Sequence, residues 1–208
     1  MRLEVLKNEA KELLPYLEGQ KDFYLAGGTA IALQIGHRIS VDFDFFSKDI
    51  LPKTLLTKIQ KKLKPRFAVE VLVNNSEELT MLVNGVKLTY LYYPFPLIEP
   101  LFVESGLTML SLAELAATKA YTVGRRGEGK DYIDLFYLLK DKHVDLATLL
   151  KLASKKYQTD FNDRLFLEQL LYLEDINLAG VILLNDKDLK KEQLNSFFEE
   201  EISKLKLS

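Results

Sequence analysis

The stretch Phe23–Phe46, FYLAGGTAIALQIGHRISVDFDFF, decides the fold predicted for this chain. It opens with a short apolar run over 23–26, which is typical of a buried strand. A Gly-Gly-Thr turn at 27–29 and a helical segment of small residues follow, and Gly36 is placed to end that segment. Apolar residues alternate with polar ones over 39–46, which predicts a second strand.

The second predicted strand carries two acids. Asp42 and Asp44 are two residues apart, and strand side chains alternate between faces, so both are expected on the same face. Neighbouring carboxylates repel each other and raise one another's pKa unless a cation lies between them. Mg²⁺ is a hard cation that prefers oxygen ligands, so Asp42 and Asp44 are the predicted metal ligands.

The glycine turn adds a place for an anion. Gly27 and Gly28 let a ligand approach the backbone closely, and the N–H groups at the start of the following helix favour phosphate. The Thr29 hydroxyl is predicted to cap that helix or to hydrogen-bond a phosphate oxygen. Together the turn and the acids indicate a site for Mg²⁺ and a nucleoside triphosphate. The alternative is an ordinary tight turn with two aspartates in water, but the order strand, turn, helix, strand favours the nucleotide site.

Composition limits the class of protein. A chain of 208 residues suits one domain or a compact two-part unit. The net charge of −2 argues against general binding of polyanions, and the lack of cysteine excludes disulfides, thiolate metal sites and a cysteine nucleophile. The charged N-terminal segment predicts no signal peptide, and no apolar run approaches the roughly 20 residues of a membrane span. We therefore expect a cytoplasmic protein.

The rest of the chain completes an α+β pattern. Helices are predicted over 1–18 and 53–63, and alternating patterns predict strands over 67–73, 79–83 and 86–93, with an Asn84-Gly85 hairpin turn. These strands and the first two give a mixed sheet of about five strands with flanking helices. From residue 110 the pattern is helical, so we expect a core over 1–109 and a C-terminal helical bundle over 110–208 that packs on it.

The first two helices of that bundle hold a polar group. Ser111 and Glu114 match a capping box at the start of the first helix, and Lys119 lies among small residues later in it. After a basic turn over 124–130, Asp131 and Asp134 share one face at the start of the next helix. On pattern alone, Asp131 is a helix cap and Asp134 a partner of the helix dipole.

Residues 27–46, GGTAIALQIGHRISVDFDFF, resemble the first motif of the AbiEii-type nucleotidyltransferase-like toxins, members of the DNA polymerase β-type nucleotidyltransferase superfamily. That motif is Gly-Gly/Ser, a helix and Asp-x-Asp, and the His-Arg-Ile-Ser lead-in at 37–40 is similar as well. Downstream, Lys119, the Arg-Gly turn and Lys-Asp-x-x-Asp at 130–134 resemble the later motifs of the family. The resemblance covers most of residues 20–140.

The resemblance implies a nucleotidyltransferase-like sheet and an enzyme of the same kind. Such an enzyme transfers a nucleoside monophosphate from an NTP to an acceptor hydroxyl, with Mg²⁺ held by Asp42 and Asp44. The implied acceptor is the 3′ end of a tRNA. The implied setting is a toxin–antitoxin pair or phage defence, with a cognate antitoxin protein as partner.

Carried over by position, the resemblance assigns roles to individual residues. Lys119 would contact the triphosphate, Arg126 would lie near it, and Lys130 would steady the turn. Asp131 or Asp134 would complete the polar site. The implied catalytic set is Asp42, Asp44, Lys119 and Asp134. The implied nucleotide-binding set is Gly27, Gly28, Thr29, Arg38, Ser40, Lys119, Arg126, Lys130 and Asp131.

Thr89 is the main departure from the superfamily pattern. Many polymerase β-type transferases carry a third metal-binding Asp in the strand beside the Asp pair, and Thr89 is the matching residue here. Threonine is neither a general base nor a charged ligand, so a carboxylate from elsewhere, such as Asp134, would have to replace it. The alternative function is a catalytically inactive fold that binds nucleotide, RNA or a protein partner.

A lysine-rich helix face bears on the acceptor. Lys58, Lys61 and Lys62 form either a solvated face or a set of contacts to the phosphates of a nucleic acid. A transferase resembling those that modify aminoglycosides is a weaker alternative, because this face favours a polyanionic acceptor over a cationic drug.

Overall fold

A mixed sheet of seven strands carries the predicted acids, in a computed structural model that describes residues 1–123, 125–185 and 189–205. The strand order is β3-β4-β5-β2-β1-β7-β6, with β2–β5 and β1–β7 parallel and the other pairs antiparallel. The strands are β1 Tyr24–Ala26, β2 Phe43–Ser47, β3 Val69–Asn74, β4 Glu78–Val83, β5 Val86–Tyr92, β6 Phe102–Glu104 and β7 Leu107–Met109.

The sheet has one apolar face and one polar face. On β2, Phe43 and Phe45 are fully buried while Asp44 between them is half-buried, as the alternation of a strand requires. Phe45 stacks on Tyr90 of β5 with ring centroids 5.4 Å apart, and this face forms the core. The side chains that could carry chemistry therefore lie on the opposite face.

Short helices flank the sheet. They are α1 Asn8–Leu13, α2 Gly27–Ile35 and α3 Leu55–Leu63. The single helix predicted over 1–18 is wrong, because 3₁₀ turns at Leu3–Val5 and Leu14–Tyr16 flank a short α1. Leu6 leaves the helical path to form a bridge with Ser40, and Pro15 lacks the N–H that a continuous helix needs.

The sequence pattern missed β6 and β7. Each has three residues, too few to show an alternation. Ser105 and Gly106 join them with φ values of +50° and +78°, the left-handed conformation of a tight hairpin turn. The predicted five strands are all present, so the α+β class is confirmed with a larger sheet.

The chain divides into two compact units, and the helices after residue 110 belong to the second. The first unit is Met1–Pro96 with Pro100–Leu110, and the second is Leu97–Glu99 with Ser111–Ser208. The helices of the second unit are α4 Leu112–Val123, α5 Gly129–Lys140, α6 Leu146–Tyr157, α7 Asp163–Leu171 and α8 Lys191–Ser203.

Helix α4 is central to the second unit. It contacts α5, α6 and α7, and its buried alanines let these helices approach closely. Within the described ranges, no helix has both the length and the apolar character needed to cross a bilayer.

Asp145 caps α6 and provides a stability test. Its carboxylate accepts hydrogen bonds from the backbone N–H and the hydroxyl of Thr148, both at 2.8 Å, and these bonds lower the pKa of Asp145. Replacing Asp145 with Ala should lower the free energy of unfolding by about 1 kcal/mol at neutral pH, measured by urea denaturation. Because the folded-state pKa is lowered, this contribution exists above the unfolded value of about 3.9 and is lost as the pH falls through the folded value.

Asp145→Asn is the matched control, since the amide oxygen still accepts a hydrogen bond but does not titrate. It should lose less stability than Asp145→Ala, and the gap between the two variants should not change with pH, because neither Asn nor Ala titrates. Equal losses for Ala and Asn would show that the charge of Asp145, and not its hydrogen bonds to Thr148, stabilises the helix. A stability of Asp145→Ala equal to that of wild type would show that the cap contributes nothing.

Candidate active site

Asp44 occupies the centre of the polar sheet face. It lies in β2 opposite Ala26 of β1 on one side and Thr89 of β5 on the other. Asp42 precedes the strand, which begins at Phe43, so the predicted start of this strand at residue 39 is wrong. Both carboxylates are half-buried.

Side-chain hydrogen bonds and a single bridge to Leu6, rather than a continuous strand, hold the segment before β2. The Thr29 hydroxyl donates to the backbone oxygen of Asp42 and lies 2.7 Å from the Ser40 hydroxyl. Arg38 donates through Nη1 to the backbone oxygen of Ile39 at 3.1 Å, and Ser40 donates through its N–H to Val5. The buried side chains of Thr29, Arg38 and Ser40 therefore position Asp42.

Thr29 does not cap α2, so the first of the two roles predicted for its hydroxyl is wrong. The cap position is Ala26, which has no polar side chain, so no side chain there binds the first N–H groups of the helix. Such N–H groups, together with the positive end of the helix dipole, favour an anion. The predicted end of α2 at Gly36 is confirmed, with a left-handed conformation at that glycine.

Gly27 brings the start of α2 against Asp44. Its φ is +66°, a conformation that disfavours residues with a Cβ. A Cβ at this position would lie 2.8 Å from Oδ2 of Asp44, closer than ordinary contact allows. The close approach therefore requires glycine, and it places a carboxylate beside a helix start that favours phosphate.

The donor set at this place fits Mg²⁺ bound together with a phosphate ligand. Mg²⁺ commonly takes one or two carboxylates and completes its shell with water and substrate phosphates. Asp44 supplies one such carboxylate beside the start of α2, and Asp42 lies two residues before it in the chain. In the part of the chain that the structure describes, no group of three or more acidic or histidine side chains could hold a metal ion alone.

A second polar cluster lies within the helical unit, between α4 and α5. Lys119 Nζ is 2.6 Å from Oδ1 of Asp131 and 2.6 Å from Oδ2 of Asp134. Arg126 Nε lies 3.0 Å from the other oxygen of Asp131. Lys119 is 4% exposed and both aspartates are fully buried, so the lysine and the acids neutralise one another inside the helical unit.

The capping role expected for Asp131 is wrong. Helix α5 begins at Gly129 with Glu128 at the cap position, so Asp131 lies in the first turn and pairs with Lys119 instead. Burial raises the pKa of the neighbouring Tyr132 hydroxyl, and the charge of Asp131 adds to this effect. Lys130 pairs at the surface with Glu128 at 2.9 Å. Gly124, at the start of the predicted basic turn, lies outside the described residues.

Glu114 has a role that the capping-box interpretation missed. Ser111 Oγ accepts from the Glu114 N–H at 3.2 Å, which is half of the predicted box. The Glu114 carboxylate instead accepts the N–H groups of Ile98 at 3.1 Å and Glu99 at 2.9 Å, and it pairs with buried Lys156. The sequence signal was an acid among the apolar residues of the first half of α4.

Comparison with known proteins identifies the family. The model of the family described as "Nucleotidyl transferase AbiEii toxin, Type IV TA system" matches residues 12–79 and 89–206. An uncharacterized protein of Aquifex aeolicus is 32% identical over 204 residues, which cover 97% of this chain and 96% of that protein.

Solved structures share the fold. A putative nucleotidyltransferase of Helicobacter pylori aligns with a TM-score of 0.60 at 20% identity, over 95% of this chain and 94% of that one. MenT4, a nucleotidyltransferase toxin of Mycobacterium tuberculosis, aligns with a TM-score of 0.64 at 17% identity, over 95% of this chain and 83% of that one.

The contact between Gly27 and Asp44 predicts a separation of stability from binding. Gly27→Ala and the control Gly85→Ala should each cost about 1–2 kcal/mol in unfolding free energy, because both glycines have positive φ. A Cβ at Gly85 meets nothing within 4 Å, whereas one at Gly27 would displace the Asp44 carboxylate. Mg²⁺-dependent NTP binding, measured calorimetrically, should therefore be lost only in Gly27→Ala. Equal NTP affinity in the two variants would contradict this role of Gly27.

The buried cluster predicts a stability role for Lys119. Lys119→Met leaves two buried carboxylates without their lysine, which should cost about 3–5 kcal/mol in urea denaturation. Lys130→Met removes only a surface pair and should cost about 1 kcal/mol or less. A Lys119→Met protein as stable as wild type would show that Asp131 and Asp134 do not depend on this lysine.

Proposed function

The chain belongs to the AbiEii family of nucleotidyltransferase toxins of type IV toxin–antitoxin systems, and on that premise we propose that it transfers a nucleoside monophosphate from an NTP to a tRNA 3′-terminal hydroxyl, with Mg²⁺. The observation that carries this proposal is the placement of the Asp44 carboxylate against Gly27 at the start of α2. A carboxylate beside the start of a helix supports joint binding of a metal ion and phosphates.

In this proposal the residues at the start of α2 and around β2 have separate roles. The N–H groups at the start of α2, at Gly28 and Thr29, bind phosphate oxygens of the NTP. Asp42 and Asp44 hold Mg²⁺, which when bound neutralises phosphate charge and orients the phosphates for in-line displacement. The hydrogen bonds from Thr29 keep Asp42 in place.

The proposed reaction balances as a simple substitution at phosphorus. The acceptor oxygen forms a bond to the α-phosphorus, the bond from that phosphorus to the bridging oxygen breaks, and pyrophosphate leaves. The hydroxyl proton passes to a base.

The exposed lysines of α3, Lys58, Lys61 and Lys62, support a polyanionic acceptor such as tRNA. Since NTPs and tRNA are cytoplasmic, the reaction would take place there, with an antitoxin protein as the proposed partner.

The proposal does not depend on the buried cluster of Lys119, Asp131 and Asp134 in the helical unit. The resemblance gives Lys119 and Arg126 a contact with the triphosphate, and Asp134 a part in catalysis. In the described structure Lys119 binds both Asp131 and Asp134, so a phosphate would compete with these carboxylates for it. The predicted triphosphate contact therefore stays a prediction.

A binding module without catalysis is the second candidate. The pairing of Thr89 with Asp44 favours this binding module, because Thr89 is neutral at the strand position where many polymerase β-type transferases carry an acid. Such a protein would bind an NTP or RNA and transfer nothing.

The double variant Asp42→Asn, Asp44→Asn tests the proposal. The asparagines keep the size of the side chains and remove the charge, so NTP binding should lose its dependence on Mg²⁺. The rate at which label from α-labelled NTP is transferred to total tRNA should fall on the order of 10³-fold. This corresponds to a loss of about 4 kcal/mol of transition-state stabilisation. The matched control is Asp49→Asn, an exposed aspartate just after β2, which should behave as wild type.

The outcomes separate the two candidates. Label incorporation by the wild type supports the transferase and eliminates the binding module. Mg²⁺-dependent NTP binding without incorporation from any of the four NTPs supports the binding module. If the wild type and the double variant bind NTP equally, Asp42 and Asp44 do not hold a metal ion for the nucleotide, and the proposed transferase site is wrong.

A further inference from the structure

A row of polar side chains crosses the sheet beside Asp44. In the observed register Asp44 of β2 is paired with Thr89 of β5, and Thr89 is paired with Thr80 of β4. Residues paired in register project from the same face of a sheet. Glu78 lies two residues before Thr80 on β4, so its side chain shares that face.

Hydrogen bonds connect the members of this row that follow Asp44. Thr80 Oγ1 is 2.6 Å from Oε1 of Glu78 and 3.3 Å from Oγ1 of Thr89. A carboxylate only accepts, so the single hydroxyl proton of Thr80 belongs to the shorter, charge-assisted bond with Glu78. The Thr80 hydroxyl is within reach of both partners, and when its proton points to Glu78 its oxygen is left to accept from the Thr89 hydroxyl. A chain of donors can then run from Thr89 through Thr80 to Glu78.

The environment of the row changes along its length. Thr80 and Thr89 are 3% and 8% exposed, which strengthens the hydrogen bonds between them and their neighbours. Glu78 is half-buried at the first residue of β4 and can exchange a proton with water. A cross-strand pair of threonines is stabilising without an acid beside it, so pairing alone does not account for the Glu78 carboxylate at the end of the row.

We propose that this row replaces the acid missing at Thr89, with Glu78 as the final proton acceptor of the transfer reaction. The inference rests on the proposed function and deepens it. As the acceptor oxygen bonds to the α-phosphorus, its proton moves to Thr89 Oγ1. The Thr89 proton moves to Thr80, and the Thr80 proton moves to the Glu78 carboxylate. Glu78 becomes a neutral acid and returns the proton to water, while pyrophosphate leaves.

Variants of Glu78 and Thr80 test the relay. Glu78→Gln and Thr80→Val should each slow single-turnover transfer of α-labelled NTP to total tRNA by about 10²-fold, the usual contribution of a general base. The NTP dissociation constant should not change, because neither group is proposed to bind the nucleotide. The double variant should be no slower than either single one, since a broken relay cannot be broken again. Glu77→Gln, an exposed acid next in sequence, is the matched control and should behave as wild type.

Thr89→Asp provides a rescue that a purely structural role of Glu78 would not show. A carboxylate beside Asp44 can accept the proton directly, so Glu78→Gln should change the rate of this variant less than threefold. If Thr89→Asp does not fold, the cycle of Glu78 and Thr80 variants decides the question alone.

Specific results would overturn the relay. One is a transfer rate of Glu78→Gln within threefold of wild type. Another is a transfer rate of the Glu78 and Thr80 double variant that is about 10⁴-fold below wild type, the product of the two single losses. The third is that Glu78→Gln still slows transfer by about 10²-fold in a folded Thr89→Asp protein. Any of these leaves the transferase itself intact. A wild-type protein without transfer activity overturns the relay and the proposed function together.

Discussion

The contact between the Gly27 backbone and the Asp44 carboxylate is the constraint on which the site depends. It joins the end of β1, the first turn of α2 and the start of β2, because Ala26 and Asp44 are paired across the two strands. The left-handed conformation at Gly27 turns the chain directly from strand into helix. The helix therefore starts beside the acid, and its positive end faces the place where negative charge is expected.

Local signals in the sequence were sufficient to predict this arrangement in outline. The glycine turn, the end of α2 at Gly36 and the Asn84-Gly85 hairpin depend on residues close in sequence, so the pattern contains the information. The role of Thr29 could not be predicted, since its partners Ser40 and Asp42 lie 11 and 13 residues away. The start of β2 was predicted too early, because the segment before the strand is bonded to Thr29, which is far from it in sequence.

The second unit shows a different limit of sequence interpretation. The spacing of Lys119, Asp131 and Asp134 indicates a shared helix face but not the partner that each charge takes. In the structure the charges pair with one another while fully or nearly fully buried. Removing one partner of a buried ion pair leaves a buried charge uncompensated, so such residues serve the fold whatever else they do.

The contact of Glu114 with Ile98 and Glu99 has a consequence for the gene. Residues 97–99 belong to the helical unit although the chain reaches them between β5 and β6. A fragment that starts at Ser111 would encode Glu114 and Lys156 without the backbone amides that complete their buried network. A gene fragment that encodes the helical unit would therefore have to begin before Leu97 for this buried network to be complete.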